Sequence, residues 1–141
     1  MPASLTPEEI SEFLDSRPGW IILTTQSSNG YPHSVPIGYF RRGDEIYIGC
    51  RANTQKTRNI ERDPKVSLLL ESGGSMRDIK GLMIQGDAEI VLDDTERLSL
   101  MRAAASARGI AEADLPAEVT PGGAYIRVRP QRYISWDYAK E

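Results

Sequence analysis

GCRANTQKTRNIERDP, Gly49 to Pro64, carries the end of an apolar strand through one turn into a short helix, and the chain is read outward from it. The residues leading in alternate, with Ile46, Ile48 and Cys50 on one face and Tyr47, Gly49 and Arg51 on the other, which is the period of a half-buried strand. Ala52-Asn53 makes the turn, and Thr54, Gln55, Lys56, Thr57 and Arg58 open the helix. Asp63-Pro64 ends it, because proline disfavours the α region in the residue before it. Charge placement sets the stretch apart. Arg51, Lys56 and Arg58 lie at or just inside the helix N-terminus, the positive end of the backbone dipole, where acidic residues normally belong. Unpaired amides, the Thr54 hydroxyl and a lysine together suit a phosphate. A solvated basic helix would carry the same residues.

Upstream, the strand Tyr31 to Arg41 places Val35, Ile37 and Tyr39 on one side and Ser34, Pro36 and Gly38 on the other, so one face is bulky and the other nearly bare. Pro32 and Pro36 cannot donate to a ladder, which predicts a bulged or edge strand. The bare face would let a flat ligand lie against the backbone. Before it, Trp20 to Gln26 reads as a strand, joined to it through Ser27 to Gly30 with its Asn-Gly pair, a hairpin signal. Thr6-Pro7-Glu8-Glu9 is a capping box with proline at the first helical position, and Ile10, Phe13 and Leu14 follow at helical spacing, ending near Pro18-Gly19.

Downstream, Lys65 to Glu71 is a strand, Ser72 to Ser75 a turn, and Lys80 to Leu92 a long strand bent at Gly86. Asp93-Asp94-Thr95-Glu96 caps a helix carrying Leu98, Met101 and Ala105, which stops at Gly109. Residues 110–123 read as a loop. Two strands close the chain, Ala124 to Arg129 and Arg132 to Tyr138, separated by Pro130. Six or seven short strands joined mostly by turns exclude a parallel βαβ sheet and predict a mainly β fold, an antiparallel barrel or sandwich, as a single domain over 1–141.

The 141 residues are 40% hydrophobic, enough for one sizeable core. A net charge of −3 and a pI near 5.3 argue against a nucleic-acid binder, so any anion site is local. No apolar run approaches a membrane span, and Met1 to Arg17 has no signal-peptide core, so the expected location is the cytoplasm. His33 and Cys50 are the only residues of their kinds, too few for a metal site of histidine and thiolate ligands. With little acid–base or nucleophilic machinery available, a redox or transfer reaction would depend on a bound cofactor.

The segments NGYPHSVPIGY, EIYIGC, RANTQKTRNIERDPKVSLLLES and IKGLMIQGDAEIV, in that order and spacing, resemble the pyridoxamine 5′-phosphate oxidase-like superfamily of split barrels, with a fainter echo in YIRVRPQRYISWDY. The resemblance implies a homodimer of six-stranded split barrels that binds FMN or the deazaflavin F420 at the subunit interface. It implies that Thr54 and Lys56, with Arg51 and Arg58, hold the cofactor phosphate, and that Gln55 is also a cofactor-binding residue. It further implies that the backbone of Val35, Pro36, Ile37 and Gly38, and of Gly49, Cys50 and Arg51, lies along the ring system. Trp136 is placed like residues that family members send across the interface toward the ring; a core tryptophan in the last strand fits equally well.

Two departures bear on activity. No arginine or lysine stands between Tyr31 and Tyr39, and the C-terminal SWDYAKE lacks the arginine of the pyridoxine phosphate oxidases. The KTRNIERDPK run is instead similar to the short bacterial oxidoreductases of the superfamily that use F420 or FMN. The implied activity is hydride transfer to or from a small substrate; a non-catalytic flavin or haem store or sensor is the alternative. Arg127, Arg129 and Arg132 would suit the acidic tail of F420, or form an ordinary exposed face.

Overall fold

A computed structural model describes residues 3–140. In chain order the elements are α1 (Pro7–Ser16), β1 (Ile21–Gln26), β2 (Pro32–Ile37), β3 (Phe40–Arg42), β4 (Glu45–Arg51), α2 (Gln55–Arg62), β5 (Lys65–Ser72), β6 (Lys80–Val91), α3 (Asp94–Ala107) and β7 (Gly123–Asp137). The strands form one antiparallel sheet in the order β2-β1-β5-β6-β7-β4-β3. Its two edge strands, β2 and β3, are consecutive in the chain with only Gly38 and Tyr39 between them. Seven flat strands about 4.8 Å apart would separate those edges by about 29 Å. The three Cα steps from Ile37 to Phe40 span at most about 11 Å, so the sheet must roll up. The result is the expected split barrel, its seam closed by the chain and not by ladder hydrogen bonds.

Alternation within each strand fills the interior. Ile21 and Leu23 of β1, Ile46 and Ile48 of β4, Leu68 and Leu70 of β5, Leu82 and Ile84 of β6, and Ile126 and Val128 of β7 are all essentially inaccessible. Burying such a side chain contributes about 1.5–3 kcal/mol, so this set dominates the stability. Helix α1 adds Phe13 and Leu14 to the core, and the Tyr39 hydroxyl donates to the Leu14 carbonyl at 2.6 Å, tying the seam to that helix. Helix α2 contributes Ile60 and seats the buried Asn59, whose Nδ2 donates to Thr25 Oγ1 at 3.0 Å and Ser27 Oγ at 3.3 Å. Helix α3 packs through Leu100, Ala103 and Ala104 on Phe40, Tyr47, Val91 and Tyr125, making a smaller second core.

The sequence-based capping is confirmed at α1, where Thr6 and Glu9 satisfy one another's backbone N–H groups, and at α3, where Asp93 accepts from Glu96 N. A register shift between Gln85 and Gly86 puts the bend of β6 where the glycine predicted it. A Cβ on Gly86 would stand 2.8 Å from the Arg129 carbonyl oxygen, too close for any side chain.

Two expectations are corrected. The strand read as Tyr31 to Arg41 breaks at Gly38-Tyr39, its halves passing to opposite edges of the sheet. The two closing strands are one, β7, because Pro130 sits opposite Gly86 at the irregularity with Gln131 as the extra residue. Beyond Val128, β7 has a ladder partner only in β6, so the missing proline N–H leaves no bond unmade on the other side. Among the described residues no helix is long and apolar enough to cross a membrane.

Candidate functional site

Two pieces of backbone meet in one groove, the β2–β3 crossover at Gly38 and the end of β4 at Gly49, and α2 follows β4 after a short turn. Gly38 and Gly49 line one groove of about 520 Å³, with Trp20, Phe40, Tyr47 and Tyr125 supplying aromatic walls and Arg17 and Arg108 cations. Of the two, Gly49 is the more closely crowded. A Cβ on Gly38 would lie 3.6 Å from the Trp20 ring, and one on Gly49 would lie 3.2 Å from the Tyr125 ring. Gly49 and Tyr125 also line a second hollow, of about 220 Å³, together with Cys50, Arg51, Arg97 and the loop 120–123.

The remaining sequence-predicted residues divide by face. Val35 and Ile37 turn inward and pack on the core, whereas Pro36 is exposed on the outward side with Ser34. Cys50 also turns inward and is half-buried; burial pushes its thiol up, with the Lys56 charge pulling the other way. Arg51, Gln55 and Arg58 are exposed and Lys56 is half-buried. Thr54 is the N-cap of α2, accepting from Thr57 N while Thr57 Oγ1 accepts from Thr54 N at 2.9 Å, so much of its hydrogen-bonding capacity goes into the helix start. Arg58 Nη1 folds back to the Asn53 carbonyl at 2.6 Å, and Gln55 Nε2 donates to Asn59 at 2.8 Å.

Among the described residues, no ion pair involves Arg17, Arg51, Lys56, Arg58 or Arg108. Arg17 and Arg108 line the groove and Arg51 the adjoining hollow, and in an acidic protein a lining with cations and no carboxylate focuses positive potential. Arg127 and Arg129 behave differently. Arg127 reaches Glu89 at 2.5 Å, Glu96 at 2.7 Å and the Tyr47 hydroxyl at 3.1 Å, and Arg129 reaches Glu45 at 2.7 Å. They are neutralised within the chain, which corrects their reading as cations for an acidic tail; Arg132 lines a separate hollow with Lys65 and Gln85.

Trp136 is not brought to these residues within one chain. It lies opposite Gly81 in the β6–β7 ladder, where a Cβ on Gly81 would fall within 2.2 Å of its ring, on the part of β7 beyond its pairing with β4, and it lines neither hollow. Sequence reasoning missed Trp20, Tyr125, Arg17, Arg97 and Arg108 as lining residues. The available signal was slight: Trp20 read as the first strand residue, and the others as ordinary strand or helix positions.

The residues present fit a flat, phosphorylated ligand. Two positions without side chains flank an aromatic groove, and β2 is an edge strand with ladder bonds on one side only, leaving backbone groups free on the other. Among the described residues no cluster of histidine, cysteine and carboxylate could hold a metal ion.

Residues 6–137 match the family model described as pyridoxamine 5′-phosphate oxidase. Among solved structures, a conserved hypothetical protein of Mycobacterium tuberculosis is similar at 26% identity, covering 95% of this chain and 86% of that one with a TM-score of 0.82. A protein described as an F420 reductase is 24% identical over 92% of this chain and 98% of that one, with a TM-score of 0.68. A FAD-binding protein of Mesorhizobium loti is 17% identical, covering 97% and 98% of the two chains with a TM-score of 0.72. No curated protein matches the chain.

Proposed function

We propose, from the premise that this chain belongs to the pyridoxamine 5′-phosphate oxidase family, that it binds a flavin-type cofactor, FMN or F420, and passes a hydride between it and a small substrate. The observation that carries this is the meeting of Gly38 and Gly49, both free of side chains, in one aromatic groove with Arg17 and Arg108 and no carboxylate in its lining, Arg51 lining the adjoining hollow. The solved structures described as an F420 reductase and a FAD-binding protein support the same reading. When bound, the cofactor would supply the hydride chemistry that the side chains lack.

The chain's own part is to bind and orient. Backbone from Val35 to Gly38 and from Gly49 to Arg51 would meet the ring, and Thr54, Gln55, Lys56, Arg51 and Arg58 would face the phosphate at the positive end of α2. Arg17 and Arg108, facing the groove with no carboxylate in its lining, would hold an anionic group of the substrate. A second copy of the chain would complete the groove, bringing its Trp136 toward the ring; Trp20 and Tyr31, 70% and 73% exposed, fit burial against such a partner.

Fluorescence titration of Lys56→Ala with FMN and F420 tests the site. A charge-assisted bond worth about 2 kcal/mol predicts a Kd raised roughly thirtyfold for the cofactor used. Unchanged affinity for both would remove Lys56 from the site. The groove's lining carries no carboxylate, histidine or cysteine, which favours a second reading, storage or sensing of a flavin or haem. Tight binding with no turnover across a panel of electron acceptors would select it.

A further inference from the structure

Arg97, on the first turns of α3, is a buried cation that the chain matches incompletely. It is only 6% exposed. Its Nη1 reaches Asp94 at 3.2 Å, but that carboxylate's side chain is 78% exposed and so well hydrated. Nη2 donates to the Thr120 carbonyl, and Nε is buried with no acceptor. A guanidinium offers five N–H donors in a fixed fork, and burying one without full compensation is costly.

The backbone has made room for it. A Cβ on Gly123 would stand 2.7 Å from Arg97 Nη2, so only glycine leaves the guanidinium where it is. Gly122, at φ +73°, adopts the left-handed turn that favours glycine, and its carbonyl accepts from Ala52 N at 2.9 Å. That bond holds the loop beside the β4–α2 turn, and Arg51 Nη2 comes within 4.0 Å of the position a Gly122 side chain would start from.

Two guanidiniums thus line one hollow of about 220 Å³ with no carboxylate in its lining. Sites that enclose a whole small ligand run to roughly 300–1,000 Å³, so this one suits a single group of a larger molecule. Gly49 and Tyr125 line both this hollow and the 520 Å³ groove, so one molecule can extend from the one into the other.

The geometry points to an anion subsite, formed by Arg51, Arg97 and the 120–123 loop, that takes a second anionic group of the cofactor whose ring lies against Gly38 and Gly49. This rests on the cofactor assignment above. The group is the phosphate or carboxylate that a pyrophosphate-bearing or acidic-tailed flavin carries beyond its first phosphate, which FMN lacks.

Titrating the full chain with FMN, FAD and F420, for wild type, Arg97→Met and Arg97→Lys, tests it. Arg97→Met should weaken FAD or F420 about tenfold or more and leave FMN within about twofold, with Arg97→Lys between, because a point charge replaces part of what the fork supplies. Equal weakening of all three, or of none, overturns the subsite and leaves the cofactor assignment standing. A wild-type chain that binds no flavin at all overturns both. Should Arg97→Met not fold, Arg97→Lys decides alone: weaker FAD or F420 binding with FMN within about twofold supports the subsite, and an equal change, or none, for all three overturns it.

Discussion

At Gly49 the Tyr125 ring occupies the space that a larger residue would contest, 3.2 Å from where a Cβ would be. Gly49→Val must displace that ring, which lines the groove. Cofactor affinity should fall at least about tenfold, while the melting temperature moves by a few degrees at most because the position faces outward; titration and thermal denaturation of the same sample separate the two effects. Tyr39 makes a different case. Burial pushes its phenol up to about 12, and its hydroxyl donates to Leu14 O at 2.6 Å. A folded-state pKa raised above the unfolded value of about 10 gives stability that is full below pH 10 and is lost as pH rises toward the folded value. Tyr39→Phe should therefore cost about 1 kcal/mol at neutral pH, and that difference from wild type should vanish in urea melts taken above pH 11. At this scale the sequence shows which positions lack a side chain, as at Gly38 and Gly49. It does not show that Trp20 and Tyr125 stand over them, because those contacts join residues far apart in the chain.

Among the elements, α2 starts on a reciprocal cap between Thr54 and Thr57, so Thr54→Val should cost about 1 kcal/mol before any ligand is considered. Strands β4, β6 and β7 and helix α3 are cross-tied at Arg127, which meets Tyr47, Glu89 and Glu96. Removing it in Arg127→Met leaves Glu89, Glu96 and Glu45, the last 3.8 Å from Arg127, as partly exposed carboxylates without that cation, and solvent screening limits the loss to about 1–3 kcal/mol. Burial would raise the Glu45 carboxyl, but Arg129, Tyr47 and Arg127 outweigh it and hold it below its usual value. A lowered carboxylate contributes stability above its unfolded pKa and loses it as pH falls, so the gap between Arg127→Met and wild type should narrow below about pH 4 in thermal melts. Local chemistry made α1, α2 and the Gly86 bend readable from the sequence, since caps and glycines act on their neighbours. The continuity of β7 through Pro130 was not readable, because it depends on which side of the strand has a partner, a fact of sheet order.

For the molecule as a whole, the alternating strands disclosed an antiparallel β domain, and the order β2-β1-β5-β6-β7-β4-β3 then followed from pairings that no local pattern encodes. Ladder bonds hold six of the seven strand boundaries of the cylinder, and at the seventh only Gly38 and Tyr39 cross. Elsewhere Ala3 bridges Asp137, and Lys140 reaches Glu9 at 2.5 Å, so the two ends of the described chain lie together. A circular permutant that links those ends and opens between Gly38 and Tyr39 would keep every strand pairing while freeing the two margins of the cylinder from each other. Such a variant should still fold cooperatively yet lose its grip on a flat ligand, which would separate the architecture's self-sufficiency from its capacity to recognise anything.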